Sequence, residues 1–386
     1  MPSNGSDPAL REPLGIYVHF PFCSIRCAYC DFPTVAGRDD RIAAYLDALD
    51  REIGEGQPGL PRRADSLFLG GGTPSRMEPR EVARVVGAVR ARFDLDDAAE
   101  VTLEGNPESL TRRRLDGYLE AGVNRISVGV QSLDDAVLLR AGRAHDAGEA
   151  FRALADARAA GIGNVSADLI AGLPGERLEA WGETVRRIAD AGPDHVSVYL
   201  LETDKDTPMA RGIRSGRLVA HDDDFLAAAY EETVSILEAG GHLLYEISNF
   251  ARDGRRSRHN VKYWTDAPFA GFGNGAHGYV AGVRRANVRG VDAYVEAMAR
   301  GEDPVDWSEP FDARRRLGEA LFLGLRLREG VDLAALAARY GEDPAATWSE
   351  AWARAFASGL AERRGTRVRL TSLGRLCSNE LFAEFV

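Results

Sequence analysis

The chain has 386 residues, 45% hydrophobic and 28% charged, a globular composition with room for one large domain and a smaller one. A formal net charge of −11 argues against a nucleic-acid or anionic-membrane surface, and no apolar run approaches the ~20 residues that span a bilayer. Residues 1–14 are polar and contain Pro2, Pro8 and Pro13, unlike a signal peptide, so the cytoplasm is the expected compartment.

From Gly15 to about Glu202, strand-like and amphipathic helical runs alternate, which predicts βα units around a parallel sheet. The predicted strands are Ile16–Phe20, Ser66–Leu69, Glu100–Leu103, Arg125–Val130, Val165–Ile170 and His195–Leu201. Between them lie predicted helices at Arg41–Ile53, Pro79–Phe93, Thr111–Ala121, Gly148–Ala160 and Leu178–Ala191, most stopped by Gly54, Gly122, Gly161 or Pro193. Chemically distinctive residues recur just after the strands, at Cys23, Gly71, Glu104, Gln131 and Gly172. A barrel gathers such ends at one mouth, whereas a doubly wound sheet brings together only one or two. The expected fold is therefore α/β, a partial (βα)6 barrel.

A further helix is expected over Asp222–Ala239, then an irregular Gly- and aromatic-rich stretch over Tyr245–Asn287. Helices at Asp312–Arg328, Leu333–Tyr340 and Ala345–Ser358 precede a hairpin around Gly365 and a short last helix, the pattern of a small winged-helix-like α+β domain. The expected division is a tail at 1–14, a barrel core at 15–240, an extension at 241–305 and a C-terminal domain at 306–386. Arg314, Arg315, Arg316, Arg363, Arg364 and Arg367 would form the basic face of a nucleic-acid reader, an alternative that the acidic whole chain opposes.

Three of the four cysteines fall within eight positions, Cys23-Ser-Ile-Arg-Cys27-Ala-Tyr-Cys30, directly after the first strand. This is no disulfide framework. Such a loop can wrap three thiolates around one inorganic centre. A 4Fe–4S cubane usually takes four, so three leave one iron open to another ligand. A structural zinc site lacks a fourth ligand at finger-like spacing, His19 being the nearest, and a redox pair at Cys27 and Cys30 leaves Cys23 unexplained. Cys377 reads as a core or half-buried thiol of the last helix.

Cys-x3-Cys-x2-Cys after the first strand resembles the signature of the radical S-adenosylmethionine superfamily. Tyr17-Val-His-Phe-Pro-Phe-Cys23 through Cys30-Asp31-Phe32 is similar to the branch holding oxygen-independent coproporphyrinogen III oxidase and the HemW heme chaperones. Further blocks carry the resemblance along most of the chain: Leu69–Pro74, Leu103–Pro107, Val123–Gln131, Gly142–His145, Asp168–Pro174, His259–Trp264 and Gly271–His277. It implies a radical-SAM-type barrel with a 4Fe–4S cluster on Cys23, Cys27 and Cys30. S-adenosylmethionine would be held by Tyr17, Gly71, Gly72, Thr73 and Glu104. The oxidase relatives hold a second such molecule, whose contacts would fall on Tyr29, Gly72, Thr73, Gln131, Arg143 and Asp168; Arg143 with Asp168 could equally be a structural ion pair.

The oxidase type carries a further cysteine two positions past the third, where this chain has Phe32, and a longer segment before its first strand. His259-Asn-Val-Lys-Tyr-Trp264 resembles the His-Asn-x-x-Tyr-Trp block of the chaperone branch. The resemblance thus implies a heme chaperone with heme as cargo, an unknown acceptor protein and an electron donor for the cluster; decarboxylation of coproporphyrinogen is the alternative. His259 is the leading heme contact, with Tyr263 and Trp264 to pack on the porphyrin and His277 a further candidate. The alternative for His259 is a packed turn with two core aromatics. Arg252, Arg255, Arg256 and Arg258 are expected either to hold a propionate or to form a solvated loop.

Overall fold

A computed structural model describes residues 12–57 and 59–385. Six strands run parallel: β1 (Leu14–Phe20), β2 (Arg63–Gly71), β3 (Asp94–Gly105), β4 (Arg125–Gln131), β5 (Asn164–Ala171) and β6 (His195–Leu200). Helices α1 (Ile42–Glu55), α2 (Pro79–Arg92), α3 (Arg112–Glu120), α4 (Asp135–Ala141), α5 (Ala147–Ala159) and α6 (Leu178–Ala191) pack outside them. Every β1 residue except Tyr17 is buried, because helices cover the outer face and other side chains fill the inner one. One apolar core runs from Leu14 and Ile16 through Val128 and Val165 to Trp181 on α6.

After α6 and β6 come α7 (Pro208–Arg214) and α8 (Asp223–Ala239). The stretch expected to be irregular is instead ordered. It holds β7 (Leu243–Glu246), β8 (Asn249–Ala251), α9 (Arg258–Trp264), β9 (Phe269–Phe272), β10 (His277–Val280) and β11 (Val283–Asn287), followed by α10 (Val291–Ala299) and β12 (Val305–Pro310). Strands of three to six residues are too short to show a period-two pattern, and glycines at their turns, such as Gly273 at φ 96° and Gly282 at φ 76°, hide it further. These strands widen the sheet at both edges, in the order β12-β11-β10-β9-β1-β2-β3-β4-β5-β6-β8-β7. Strand β9 pairs parallel to β1, so seven strands share one direction and the barrel stays open.

The C-terminal part has its own core around Leu321, Leu325, Trp352, Val368 and Phe382. Helix α11 (Ala313–Leu325) precedes β13 (Val331–Asp332), α12 (Leu333–Tyr340), two short helices, and the hairpin β14 (Ala361–Arg364) and β15 (Arg367–Leu370), with β13 beside β15. This is the winged-helix-like arrangement that the pattern predicts. Cys377 is half-buried between the last two short helices. Among the described residues no helix is long and apolar enough to cross a membrane.

Candidate functional site

The cysteine loop leaves β1 at the C-terminal end of the parallel strands. Its course is fixed by backbone hydrogen bonds: Ala28 N–H donates to Ala141 O at the end of α4 (3.0 Å), and Met209 N–H of α7 donates to Ala28 O (2.8 Å). Cys23 is buried and Cys27 and Cys30 are half-buried. The thiols have polar neighbours of the kind that sulfur in a cluster accepts from: Thr73 Oγ1 lies 3.5 Å from Cys23 Sγ, and Arg143 Nη1 lies 3.5 Å from Cys27 Sγ. Burial pushes the Cys23 and Cys30 thiols up. Among the described residues no three His, Cys, Asp or Glu side chains are gathered around a point that one metal ion would occupy. The fit to a multi-iron cluster rests on the all-thiol donor set and the donors aimed at it.

The glycine run after β2 is a packing requirement. Gly72 and Thr73 donate backbone N–H to Phe20 O (2.8 Å) and Phe22 O (3.1 Å), which lays the run against the start of the cysteine loop. A Cβ on Gly72 would stand 2.7 Å from the Pro21 carbonyl and 3.0 Å from Cys23 Sγ, and one on Gly71 (φ 117°) would stand 2.5 Å from the His19 ring. His19 links Tyr17 Oη (3.0 Å) to Pro33 O (3.2 Å), and burial lowers its pKa to about 4, so the ring is neutral.

Glu104, one residue before the end of β3, accepts the Gly71 N–H through Oε2 (3.0 Å). Burial, with Asp168 facing it, pushes its carboxyl up to about 7. Asp168 accepts from Ser127 Oγ (2.8 Å) and Ser166 Oγ (3.2 Å), and burial raises its pKa too. Arg143 donates to Asn106 Oδ1 (2.9 Å) and Gly129 O (2.7 Å) as well as facing Cys27. The suggested Arg143–Asp168 ion pair is therefore not formed; separate partners hold the two groups. Gln131 sits at φ 67°, where β4 slips register against β5, and a Cβ on Gly129 would come 2.8 Å from its Nε2 and 3.4 Å from Arg143 Nη2. Tyr29, beside Arg143 and Cys27, is half-buried against the small apolar cluster of Val137, Ala141 and Met209.

His259 lies at the other end of the barrel. Helix α9 packs across the starting ends of β1 and β2, where a Cβ on Gly15 would strike Lys262 and His259. Glu100, near the start of the inner part of β3, accepts from Arg258 N (3.0 Å), His259 N (3.0 Å) and Ser257 Oγ (3.3 Å), and so caps the helix from below. The His259 ring is fully buried, with Nδ1 on Ser66 Oγ (3.0 Å) and Nε2 on Tyr263 Oη (2.9 Å). The buried, doubly bonded ring fits the packed reading of His259, while Tyr263 and Trp264 are half-buried rather than core. The preceding arginines are likewise engaged at that end: Arg252 with Pro193 O (3.1 Å), Arg255 with Asp194 (3.7 Å), Arg256 with Glu329 (2.7 Å) and Arg258 with Ala98 O.

Sequence reasoning missed three groups. Arg125, the first residue of β4, is buried, and among the described residues nothing hydrogen-bonds its Nε or Nη1. It supplies a positive charge to the lumen that Glu104 and Asp168 share. Tyr199 is 44% exposed, yet the same lumen holds its hydroxyl pKa up through burial and Asp168. Asn106 orients Arg143. Arg125 and Asn106 lie in the Val123–Gln131 and Leu103–Pro107 blocks, but no spacing rule shows which residues of a block point inward.

The model of the radical SAM superfamily matches residues 17–188, and that of the HemN C-terminal domain matches residues 311–377. A curated heme chaperone HemW of Bacillus subtilis is 34% identical over 376 residues, 96% of this chain and 98% of that protein. The chain belongs to the HemW family. A HemW of Mycobacterium tuberculosis H37Rv is 37% identical over 381 residues, 97% of this chain and 95% of that one. The solved structure of coproporphyrinogen III oxidase (HemN) from Escherichia coli superposes with a TM-score of 0.85 at 23% identity, covering 100% of this chain and 93% of that chain. It shows the shared fold, a radical-SAM-type partial barrel. HemW membership thus accords with the thiol triad, the glycine run and Glu104 at one mouth.

Proposed function

We propose that this chain is a heme chaperone of the HemW type. It binds a 4Fe–4S cluster, S-adenosylmethionine and heme, and hands heme to an acceptor protein in the cytoplasm. The observation that carries the reading is kinship over nearly the whole length, 34–37% identical, with proteins curated as heme chaperones. Phe32 in place of the oxidase type's extra cysteine supports the same side.

Cys23, Cys27 and Cys30 would hold the cluster, and Gly71, Gly72, Thr73, Glu104 and Tyr17 would receive S-adenosylmethionine beside it. When bound, the cluster and this cofactor supply one-electron cleavage of the sulfonium. The chain's own residues do the rest. The glycine run offers backbone close to the ligand. The Glu104 carboxylate would accept hydrogen bonds from ribose hydroxyls, and Arg143 and Thr73 donate toward the thiol sulfurs. A second molecule could meet Tyr29, Gln131, Arg143 and Asp168, which line the same mouth. An electron donor for the cluster is implied by this chemistry.

The test is anaerobic reconstitution with iron and sulfide, then addition of heme and, separately, of coproporphyrinogen with reductant. Stoichiometric heme uptake without decarboxylation is expected. Decarboxylated porphyrinogen would move the chain to the oxidase branch.

A further inference from the structure

His277 offers what His259 lacks. It opens β10 with its side chain exposed, and among the described residues no protein group hydrogen-bonds either ring nitrogen. Its ring stands edge-on to Trp307, 5.8 Å between centroids at 72°, and Trp307 is itself 39% exposed.

Strand register shows which face these rings occupy. Tyr17 of β1 lies toward Glu104 and Tyr263 in the lumen, and Gly271 of β9 is its partner. Paired residues share a face, and so do residues two apart. Phe269 is therefore on the lumen side, as is its partner Tyr279, and with it His277. His277 and Trp307 both pair with Ala286 of β11, which puts Trp307 on the same side. The concave wall of the open barrel thus continues past β1 to a ledge bearing His277 and Trp307.

The ledge abuts the cysteine loop. Asn274 Nδ2 donates to Pro33 O (3.4 Å), a Cβ on Gly275 would touch Pro33, and Arg289 Nη2 donates to Asp31 O (3.4 Å). Phe32, between them, is 58% exposed, and the Arg289 side chain pairs with no carboxylate among the described residues. An accessible imidazole, exposed aromatic faces and a guanidinium without a carboxylate partner match the three parts of heme: iron, macrocycle and propionates.

We propose that this ledge is the heme seat, with His277 as an axial ligand of the iron, Trp307 and Phe32 against the macrocycle, and Arg289 toward a propionate. The proposal rests on the heme-chaperone reading and locates its cargo site beside the cysteine loop, on the opposite end of the barrel from His259.

The experiment titrates ferric heme into the full-length, cluster-loaded chain and into His277→Ala and Trp307→Ala, following the Soret difference and the ferric EPR signal. Wild type should give a low-spin, imidazole-ligated signal. His277→Ala should lose that signal and bind heme ~10-fold more weakly, and free imidazole should restore the low-spin spectrum. Trp307→Ala should weaken binding while keeping the ligation signature. Both positions are exposed, and far-UV circular dichroism checks that the variants are folded. Heme bound by His277→Ala with wild-type affinity and spectrum would overturn the ledge while leaving the chaperone reading intact. A wild-type chain that takes up no heme would overturn both.

Discussion

His259→Ala removes a ring that ties α9 to the barrel floor. The substitution leaves the Ser66 and Tyr263 hydroxyls without their partner and opens a void against Phe68, whose ring centroid is 5.3 Å from that of His259. Two hydrogen bonds at about 1 kcal/mol each plus a cavity term of about 1 kcal/mol give ~3 kcal/mol at pH 7. At a urea slope of ~3 kcal/mol/M, the midpoint falls by ~1 M. A second signature is pH. Burial holds the folded-state pKa of His259 down at about 3, against ~6.5 in the unfolded chain. The depressed value means that, as pH falls below ~6.5, the unfolded chain takes up a proton that the folded chain refuses, and stability drops by ~1.4 kcal/mol per unit. Wild type therefore loses ~2 kcal/mol at pH 5 through this one residue, a loss the variant cannot show. Urea unfolding of the cluster-free chains should find the gap between them shrinking from ~3 kcal/mol at pH 7 to ~1 kcal/mol at pH 5. A gap under ~1 kcal/mol at pH 7, or one that does not change with pH, would refute the floor assignment.

Gly72→Ala would push a methyl group into the Pro21 carbonyl and Cys23 Sγ, so iron and sulfide bound per chain after reconstitution should fall by more than half. Gly87→Ala, with nothing within 4 Å, should match wild type. Arg143→Leu removes a cationic donor from Cys27 Sγ. With ~1.5 kcal/mol for a charge-assisted bond, the cluster's one-electron potential should move ~60 mV more negative in a redox titration. Burial pushes the Glu104 carboxyl up to about 7, and its ionised form accepts hydrogen bonds far more strongly than the protonated acid. S-adenosylmethionine affinity, measured by equilibrium dialysis, should fall ~10-fold from pH 8 to pH 6 in wild type and stay flat in Glu104→Gln.

The parallel core was legible because its strands are apolar on both faces and its helices carry clean stops; α6 runs over Leu178–Ala191, the span the pattern predicts. Helices α4 and α7, seven residues each, were too short for a periodic signal. The mouth was legible too, since parallel strands put Cys23, Gly71 and Glu104 at one end by their order alone. The position of α9 was not. Its motif carries a histidine and two aromatics, but only the bonds from Glu100 to its first turn and from Ser66 to His259 show that it closes the far end. Register likewise separates His277 from His259: no local pattern reveals that β9 joins β1 and carries the lumen face outward.

The most direct test of the account is Mössbauer spectroscopy of the anaerobically reconstituted chain before and after S-adenosylmethionine. Three thiolate-held irons and one open iron predict a cubane spectrum in which a single site changes when the cofactor is added. Four irons that ignore the cofactor, or a chain that assembles no cubane, would contradict it.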